Sequence, residues 1–119
     1  MGTVAQARWK LSTIIEVDMK TRKPTDPVHP GEILLEDFMK PAGISINGLA
    51  SGLGVPPSRI HAIVNETRGI TADTALRLGR FFSTTSKLWM NLQTDFDLRN
   101  AANESRNEIE RLVHPLNAA

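Results

Sequence analysis

One stretch of the chain concentrates side chains that can hydrogen-bond to the edges of DNA bases. Ser58, Arg59 and His61 follow a proline pair inside residues 45–65. An arginine fork donates two parallel hydrogen bonds to guanine, which contributes about 1–3 kcal/mol of discrimination, and a small side chain such as Ala62 can meet the methyl group of thymine. The spacing therefore predicts a DNA-reading surface made of Pro57, Ser58, Arg59, His61 and Ala62.

Apolar residues at helical spacing predict the two helices that would hold this surface. Gly54 marks the end of the first helix, where glycine adopts a left-handed backbone at little cost. Pro56 and Pro57 suit the start of the second, because proline has no amide proton to leave unpaired. The predicted buried positions are Leu49, Ala50, Leu53, Val55, Ile60, Ile63 and Val64. Two short helices joined by a tight turn form a helix-turn-helix, whose second helix enters the major groove.

Other polar residues lie at the ends of these helices, where DNA phosphates are expected. We assign phosphate contacts to Ser45, Asn47, Asn65 and Arg68. Exposed amides at a helix N-terminus favour an anionic phosphate, which supports the first two assignments. Ser45 and Asn65 can also act as helix caps, and both roles are compatible.

The base-reading assignments leave structural alternatives open. Arg59 can contact a phosphate, which positions a protein without reading sequence. Ser58 can cap the second helix, because the prolines before it offer no side-chain acceptor. His61 can be a solvated surface histidine, and Ala62 can simply fill the helix. The segment also fits an ordinary helical hairpin in a small bundle.

Composition excludes several classes of function. The chain has no cysteine, so it can form neither disulfides nor thiolate metal sites. The three histidines lie far apart, and the acidic pairs at 36–37 and 95–97 point in different directions on a helix. We therefore expect no metal, no cofactor and no catalysis. No apolar run approaches a membrane span, and no secretion signal is evident, so the protein is expected to be cytoplasmic.

Charge bounds the expected affinity for DNA. The formal net charge is only +1; residues 1–27 carry five Lys/Arg and three Asp/Glu, and the remainder carries nine against ten. A nonspecific nucleic-acid coat is strongly basic, so binding here must use locally placed cations such as Arg59 and Arg68. One short recognition helix cannot supply both affinity and specificity. We therefore expect a homodimer on double-stranded operator DNA.

The whole pattern predicts an all-α fold of five helices, with a flexible or strand-forming N-terminal extension. The first helix opens at Pro30 and is stopped by Pro41 and Gly43. Thr71 is predicted to cap the fourth helix and Ser86 the fifth, with helical character through Leu98 and again over 109–112. Predicted inward-facing residues outside the central pair are Ile33, Leu34, Phe38, Ala75, Leu76, Leu78, Gly79 and Phe82.

Three regions of the chain differ in their residue patterns. We divide it into an N-terminal extension and linker at 1–27, a helix-turn-helix domain at 28–98 and a C-terminal helical extension at 99–119. Ile15, Val17 and Met19 alternate with charged residues, the period of a half-buried strand. The extension is expected to be disordered in the free protein or to add a strand to another protein's sheet. Met19 before the proline-rich linker also suits a native start.

Four motifs in residues 28–98 resemble those of HigA-type antitoxins, also called VapI-like addiction-module antidotes, which have a Cro/phage-repressor-like, XRE-type fold. They are His-Pro-Gly-Glu-Ile-Leu-Leu-Glu-Asp-Phe at 29–38, Gly-Ile-Ser at 43–45 followed by Leu49-Ala50, Val-Asn-Glu-Thr-Arg-Gly-Ile-Thr-Ala-Asp-Thr-Ala-Leu-Arg-Leu at 64–78, and Trp-Met-Asn-Leu-Gln at 89–93. In the last of these, Met90 replaces the usual leucine.

This resemblance implies a protein that is not an enzyme and has two linked activities. It would repress its own operon by binding a palindromic operator as a dimer, and it would neutralise a RelE-like mRNA-cleaving toxin of the HigB type. We assign Trp89, Leu92 and Phe96 to the core and the dimer interface. Two alternatives are a helix-turn-helix regulator without a toxin partner, and a toxin-neutralising protein that no longer reads DNA, with which the proline pair at 56–57 is compatible.

Overall fold

The computed structural model describes residues 26–117, and this part of the chain contains helices but no strands. Helix α1 has three consecutive segments, Pro30–Ile33, Leu34–Met39 and Lys40–Ala42; α2 spans Ile46–Leu53, α3 spans Pro57–Val64, α4 spans Ala72–Phe82 and α5 spans Ser86–Leu112. The predicted all-helical architecture of five helices is thus confirmed. The strand pattern predicted around residues 15–19 lies outside the described residues.

Helix α1 differs from the prediction at its C-terminal end. Its middle segment, Leu34–Met39, is wound as a π-helix. Pro41 does not stop the helix as predicted, because the helix continues to Ala42 and ends where Gly43 adopts φ +64°. A proline ring clashes with the carbonyl group four residues earlier in an α-helix. We attribute the wider π turns before Pro41 to relief of that clash.

The boundaries of α2 and α3 match the prediction. The hydroxyl oxygen of Ser45 caps α2 by accepting a 3.0 Å hydrogen bond from the N–H of Gly48. Gly54 ends that helix at φ +70°, as expected for a residue without Cβ. Helix α3 follows with Pro56 as its N-cap and Pro57 as its first residue, and it has no side-chain cap. Ser58 therefore does not serve as the cap.

The described helices enclose one mostly aliphatic core. Trp89 is fully buried, and its Nε1 donates a 2.9 Å hydrogen bond to Oγ1 of Thr84. The buried apolar residues are Ile33, Leu34, Phe38, Met39, Leu49, Ala50, Leu53, Val55, Ile60, Ile63, Ile70, Ala75, Leu78 and Trp89. Leu76 was wrongly predicted to face inward and is 64% exposed. Successive helical residues are turned by about 100°, which carries Leu76 away from the stripe of Ala75 and Leu78.

Helix α5 is one uninterrupted helix of 27 residues, about 40 Å long at 1.5 Å per residue. Its N-cap is Thr85 and not the predicted Ser86, since Oγ1 of Thr85 accepts a 3.1 Å hydrogen bond from the N–H of Leu88. The first half of the helix packs mainly against α4. From Leu98 to residue 117 no residue is buried. Among the described helices, none is both long and apolar enough to cross a membrane.

Candidate nucleic-acid interface

Helix α3 presents an exposed ridge above two buried isoleucines. Ile60 and Ile63 have 0% exposure and hold the helix against the core. On the other side, Pro57, Ser58 and His61 are exposed. Arg59 and Ala62 are half-buried at the edges of this ridge. A helix seated by one apolar stripe with free polar groups opposite is the geometry required of a recognition helix.

The structure places Arg59 against α4 instead of leaving it extended. Its Nη1 lies 2.9 Å from Oδ2 of Asp73, and its side chain is 24% exposed. Its Nε is buried and has no hydrogen-bond partner among residues 26–117. A bidentate contact to guanine needs two free N–H groups on one edge of the guanidinium. Arg59 must therefore turn away from Asp73 to make that contact.

Asp73 is shared by two arginines and connects α3 to the helix-turn-helix turn. Nε of Arg77 also lies 2.9 Å from Oδ2 of Asp73, while its Nη1 donates to the carbonyl oxygen of Leu53 over 2.8 Å. The hydrogen bond from Arg77, followed by that from Arg59, lowers the pKa of the Asp73 carboxyl. The carboxylate is thus held ionised between two cations.

Sequence reasoning missed Asp73 and Arg77. Their spacing of four residues on a helix was a readable signal for an ion pair. The pair Arg59–Asp73 is separated by 14 residues, and its formation depends on how α3 and α4 pack. No pattern of neighbouring residues in the sequence predicts such a contact.

The residues assigned to phosphates lie at the two expected places in the chain. Ser45 and Asn47 are exposed at the N-terminal end of α2, and Asn65 and Arg68 are exposed directly after α3. The oxygen of Ser45 accepts from the helix, which leaves its O–H free to donate. Asn65 is the C-cap of α3, and its N–H donates to the carbonyl oxygen of His61 over 2.9 Å. The predicted capping roles of these two residues are therefore present.

The loop after α3 is attached to α5 by a buried glutamine. Oε1 of Gln93 accepts a 2.6 Å hydrogen bond from the N–H of Ile70, and its Nε2 donates to Oδ1 of Asp97 over 2.9 Å. A Cβ on Gly69 would lie 2.9 Å from the Gln93 side chain. A side chain at position 69 would therefore require the Gln93 carboxamide to shift. The positive backbone φ in this loop belongs to Glu66, at 64°.

The N-terminus of α1 packs against the C-terminal end of α3. Nδ1 of His29 accepts a 2.9 Å hydrogen bond from the N–H of Gly31, and a Cβ on Gly31 would overlap the carbonyl oxygen of Ile63. The His29 ring meets Phe96 edge to face, with centroids 4.8 Å apart. Burial lowers the pKa of His29, against the opposing attraction of the Glu66 and Asp97 carboxylates.

The three residues assigned to core and dimer interface all pack within the described protomer. Trp89 belongs to the core. Leu92 is half-buried and packs against it, and Phe96 is half-buried against His29. In residues 26–117, no cluster of three or more His, Asp or Glu could hold a metal ion.

Comparison with known proteins places this arrangement in a family. No family model matches the chain. Virulence-associated protein I of Dichelobacter nodosus is 53% identical over 79 residues, which cover 66% of this chain and 73% of that protein. Antitoxin HigA-1 of Vibrio cholerae is 32% identical over 90 residues, covering 76% and 84% of the respective chains.

A solved structure extends this comparison to three dimensions. The structure of the Pseudomonas aeruginosa antitoxin HigA with the higBA promoter aligns with a TM-score of 0.75 and 44% sequence identity, covering 76% of this chain and 99% of that one. The chain belongs to the HigA family of helix-turn-helix antitoxins.

Proposed function

We propose that this protein represses its own operon by binding operator DNA through α3. The observation that carries this proposal is the exposed ridge of Pro57, Ser58 and His61 directly above the buried Ile60 and Ile63. The related P. aeruginosa antitoxin HigA has been solved with its promoter, which supports the same use of the helix here. The exposed face provides a donor, an acceptor and a ring nitrogen within one turn and a half.

Two groups of residues divide the work in this proposal. Base edges are contacted by Pro57, Ser58, Arg59, His61 and Ala62, with Arg59 turning away from Asp73 to do so. Phosphates are contacted by Ser45, Asn47, Asn65 and Arg68. The free O–H of Ser45 and the backbone amides at the start of α2 can both donate hydrogen bonds to an anion such as phosphate.

A gel shift with the DNA upstream of the gene tests this step. The full-length protein should shift that duplex at low salt and discriminate it from a shuffled duplex of equal length. No shift at low salt would reject the repressor proposal, since electrostatic contacts to phosphates are strongest under that condition.

We further propose that the protein acts as a homodimer joined through the second half of α5. This half presents an apolar stripe on which Leu98 is 66%, Ile109 is 51% and Leu112 is 58% exposed. Ala102 and Ser105 lie between them, so the spacing alternates between four and three residues. Such spacing forms the seam of a coiled coil, in which identical helices can pair. The stripe begins where contacts with the protomer's own core end.

Substitution on this stripe tests the dimer. Ile109→Glu places a charge in the seam and should convert the protein to monomers in sedimentation and light-scattering measurements, with weaker operator binding. Asn107→Glu adds the same charge to an exposed residue off the stripe and should leave the dimer intact. A wild-type protein that is monomeric at micromolar concentration, or an Ile109→Glu protein that stays dimeric, would contradict this interface.

The family assignment supports a second activity, the binding and neutralisation of a RelE/HigB-like mRNA-cleaving toxin. Co-expression of the neighbouring gene with and without this protein tests it. Growth arrest by the neighbour alone, relieved by this protein with which it co-purifies, is the expected result. A neighbour that is harmless and does not co-purify would instead favour a helix-turn-helix regulator without a toxin partner. A variant such as Arg59→Ala, which should weaken the operator shift but keep the rescue, separates the two activities.

A further inference from the structure

Asp73 occupies an unusual place for a carboxylate beside a recognition helix. Its Oδ2 is within 2.9 Å of both Nη1 of Arg59 and Nε of Arg77. It lies in the first turn of α4, two residues after the cap Thr71. A negative charge this close to Arg59 is also close to whatever DNA group Arg59 contacts, and it repels phosphates there.

We propose that Asp73 competes with operator DNA for Arg59 and thereby lowers operator affinity. The inference rests on the proposed repressor function. While Arg59 stays on Asp73, its Nη1 is occupied and its Nε is buried, so it contributes little to a non-operator complex. Only a partner with better geometry than the carboxylate releases the side chain.

The relative strengths of the competing contacts allow such a competition between Asp73 and DNA. Ion pairs at a protein surface are weak, and the Asp73 side chain is 57% exposed. A bidentate pair with guanine is stronger than such an ion pair. A single contact with a phosphate of non-operator DNA, on which the protein has no fixed position, is similar in strength to the ion pair. Guanine at the correct position therefore captures Arg59, and non-operator DNA leaves it on Asp73.

Arg77 keeps the competing carboxylate in place. Its Nη1 is hydrogen-bonded to the carbonyl oxygens of Leu53, over 2.8 Å, and Gly54, over 3.4 Å, at the end of α2. The carboxylate is thereby fixed relative to the turn of the helix-turn-helix. When Arg59 leaves, Asp73 still has Arg77 as a partner, so its carboxylate is not left without a cation.

Removal of the carboxylate charge tests the proposal in the full-length protein. Asp73→Asn should tighten binding to the operator by about two- to fivefold, the range expected for loss of a surface ion pair, because only operator binding has to break that pair. The gain on a shuffled duplex, which leaves Arg59 on Asp73, should be equal or smaller. Glu36→Gln removes the same charge from an exposed pair with Lys40 on α1 and should leave operator affinity unchanged.

A second background shows whether the effect passes through Arg59. In Arg59→Ala protein, the added Asp73→Asn change should tighten binding to the operator no more than Glu36→Gln does. Asp73→Ser, which keeps a hydrogen-bonding group near the start of α4, replaces Asp73→Asn should the latter melt below the assay temperature. An unchanged operator affinity in both Asp73 variants, or an equal gain without Arg59, overturns the inference. Failure of the wild type to bind operator would instead reject the repressor function itself.

Discussion

Oε1 of Gln93 accepts a 2.6 Å hydrogen bond from the backbone N–H of Ile70, 23 residues away in the chain. The donor belongs to the loop that follows α3, and the acceptor belongs to α5. This contact ties the loop that holds Arg68 to the helix that we propose as the dimer interface. The position of a phosphate-contacting loop therefore depends on a side chain of the dimer-forming helix.

Gln93→Met should destabilise the protein by about 1–3 kcal/mol, because a methionine of similar size leaves the buried N–H of Ile70 without an acceptor. Urea unfolding followed by circular dichroism measures the free energy of unfolding. Operator affinity should fall as well, since the loop loses its attachment. Asn91→Ala, at an exposed position of the same helix, should change both quantities little. A Gln93→Met protein as stable as the wild type would show that the contact is dispensable.

Gly31→Ala should be the most damaging of the glycine substitutions in α1. A Cβ at this position overlaps the backbone carbonyl of Ile63, which cannot move without displacing α3, so we expect a loss near or above about 3 kcal/mol. Gly43→Ala is the matched control: its Cβ would meet nothing within 4 Å, and only its φ of +64° is unfavourable. That strain costs about 1 kcal/mol. Equal unfolding free energies for the two variants would disprove the close α1–α3 contact.

The sequence was informative wherever a local rule decides the structure. Caps and breakers at Ser45, Gly54 and Thr71 mark helix ends by hydrogen bonds or a positive φ within the same few residues. The buried stripe of Ile60 and Ile63 follows from helical spacing alone. These features define the helix-turn-helix and so the exposed ridge of α3.

Sequence reasoning failed where the result depends on packing between distant elements. The ion pair of Arg59 with Asp73 and the hydrogen bond of Gln93 with Ile70 join residues 14 and 23 positions apart. Thr85 and Ser86 are both good caps, and only the direction in which the chain enters α5 decides between them. The roles that depend on DNA remain predictions, since they describe a complex and not the protein alone.

The stability of the protein should decrease as the pH falls below about 6.5, the ordinary pKa of histidine. Burial lowers the pKa of His29 in the folded state. At a pH between the lowered pKa and the ordinary one, the unfolded chain binds a proton that the folded chain does not. Acidification across this interval therefore lowers the free energy of unfolding. Protonation of Nδ1 would also remove the acceptor for the N–H of Gly31. Melting temperatures across this window measure the effect.

His29→Asn is the matched control for this pH dependence. Asparagine keeps a side-chain oxygen that can cap α1 but does not titrate. The difference in melting temperature between wild type and His29→Asn should therefore shrink or reverse as the pH falls, while contributions from the other titrating groups cancel. A difference that stays constant across the window would show that His29 does not titrate on unfolding.

Arg68 and Arg59 should respond differently to salt and to DNA sequence. Arg68 is exposed in the loop after α3, and as a phosphate contact its replacement by alanine should weaken all duplexes equally. The slope of log affinity against log salt should drop by about 1 for each protomer. Arg59→Ala should instead reduce discrimination at one operator position by about 1–3 kcal/mol. Lys40→Ala, on α1 and paired with Glu36, should leave the slope unchanged. If Arg68→Ala weakened the operator alone, or if Arg59→Ala weakened every duplex to the same extent, the division between phosphate and base contacts would be wrong.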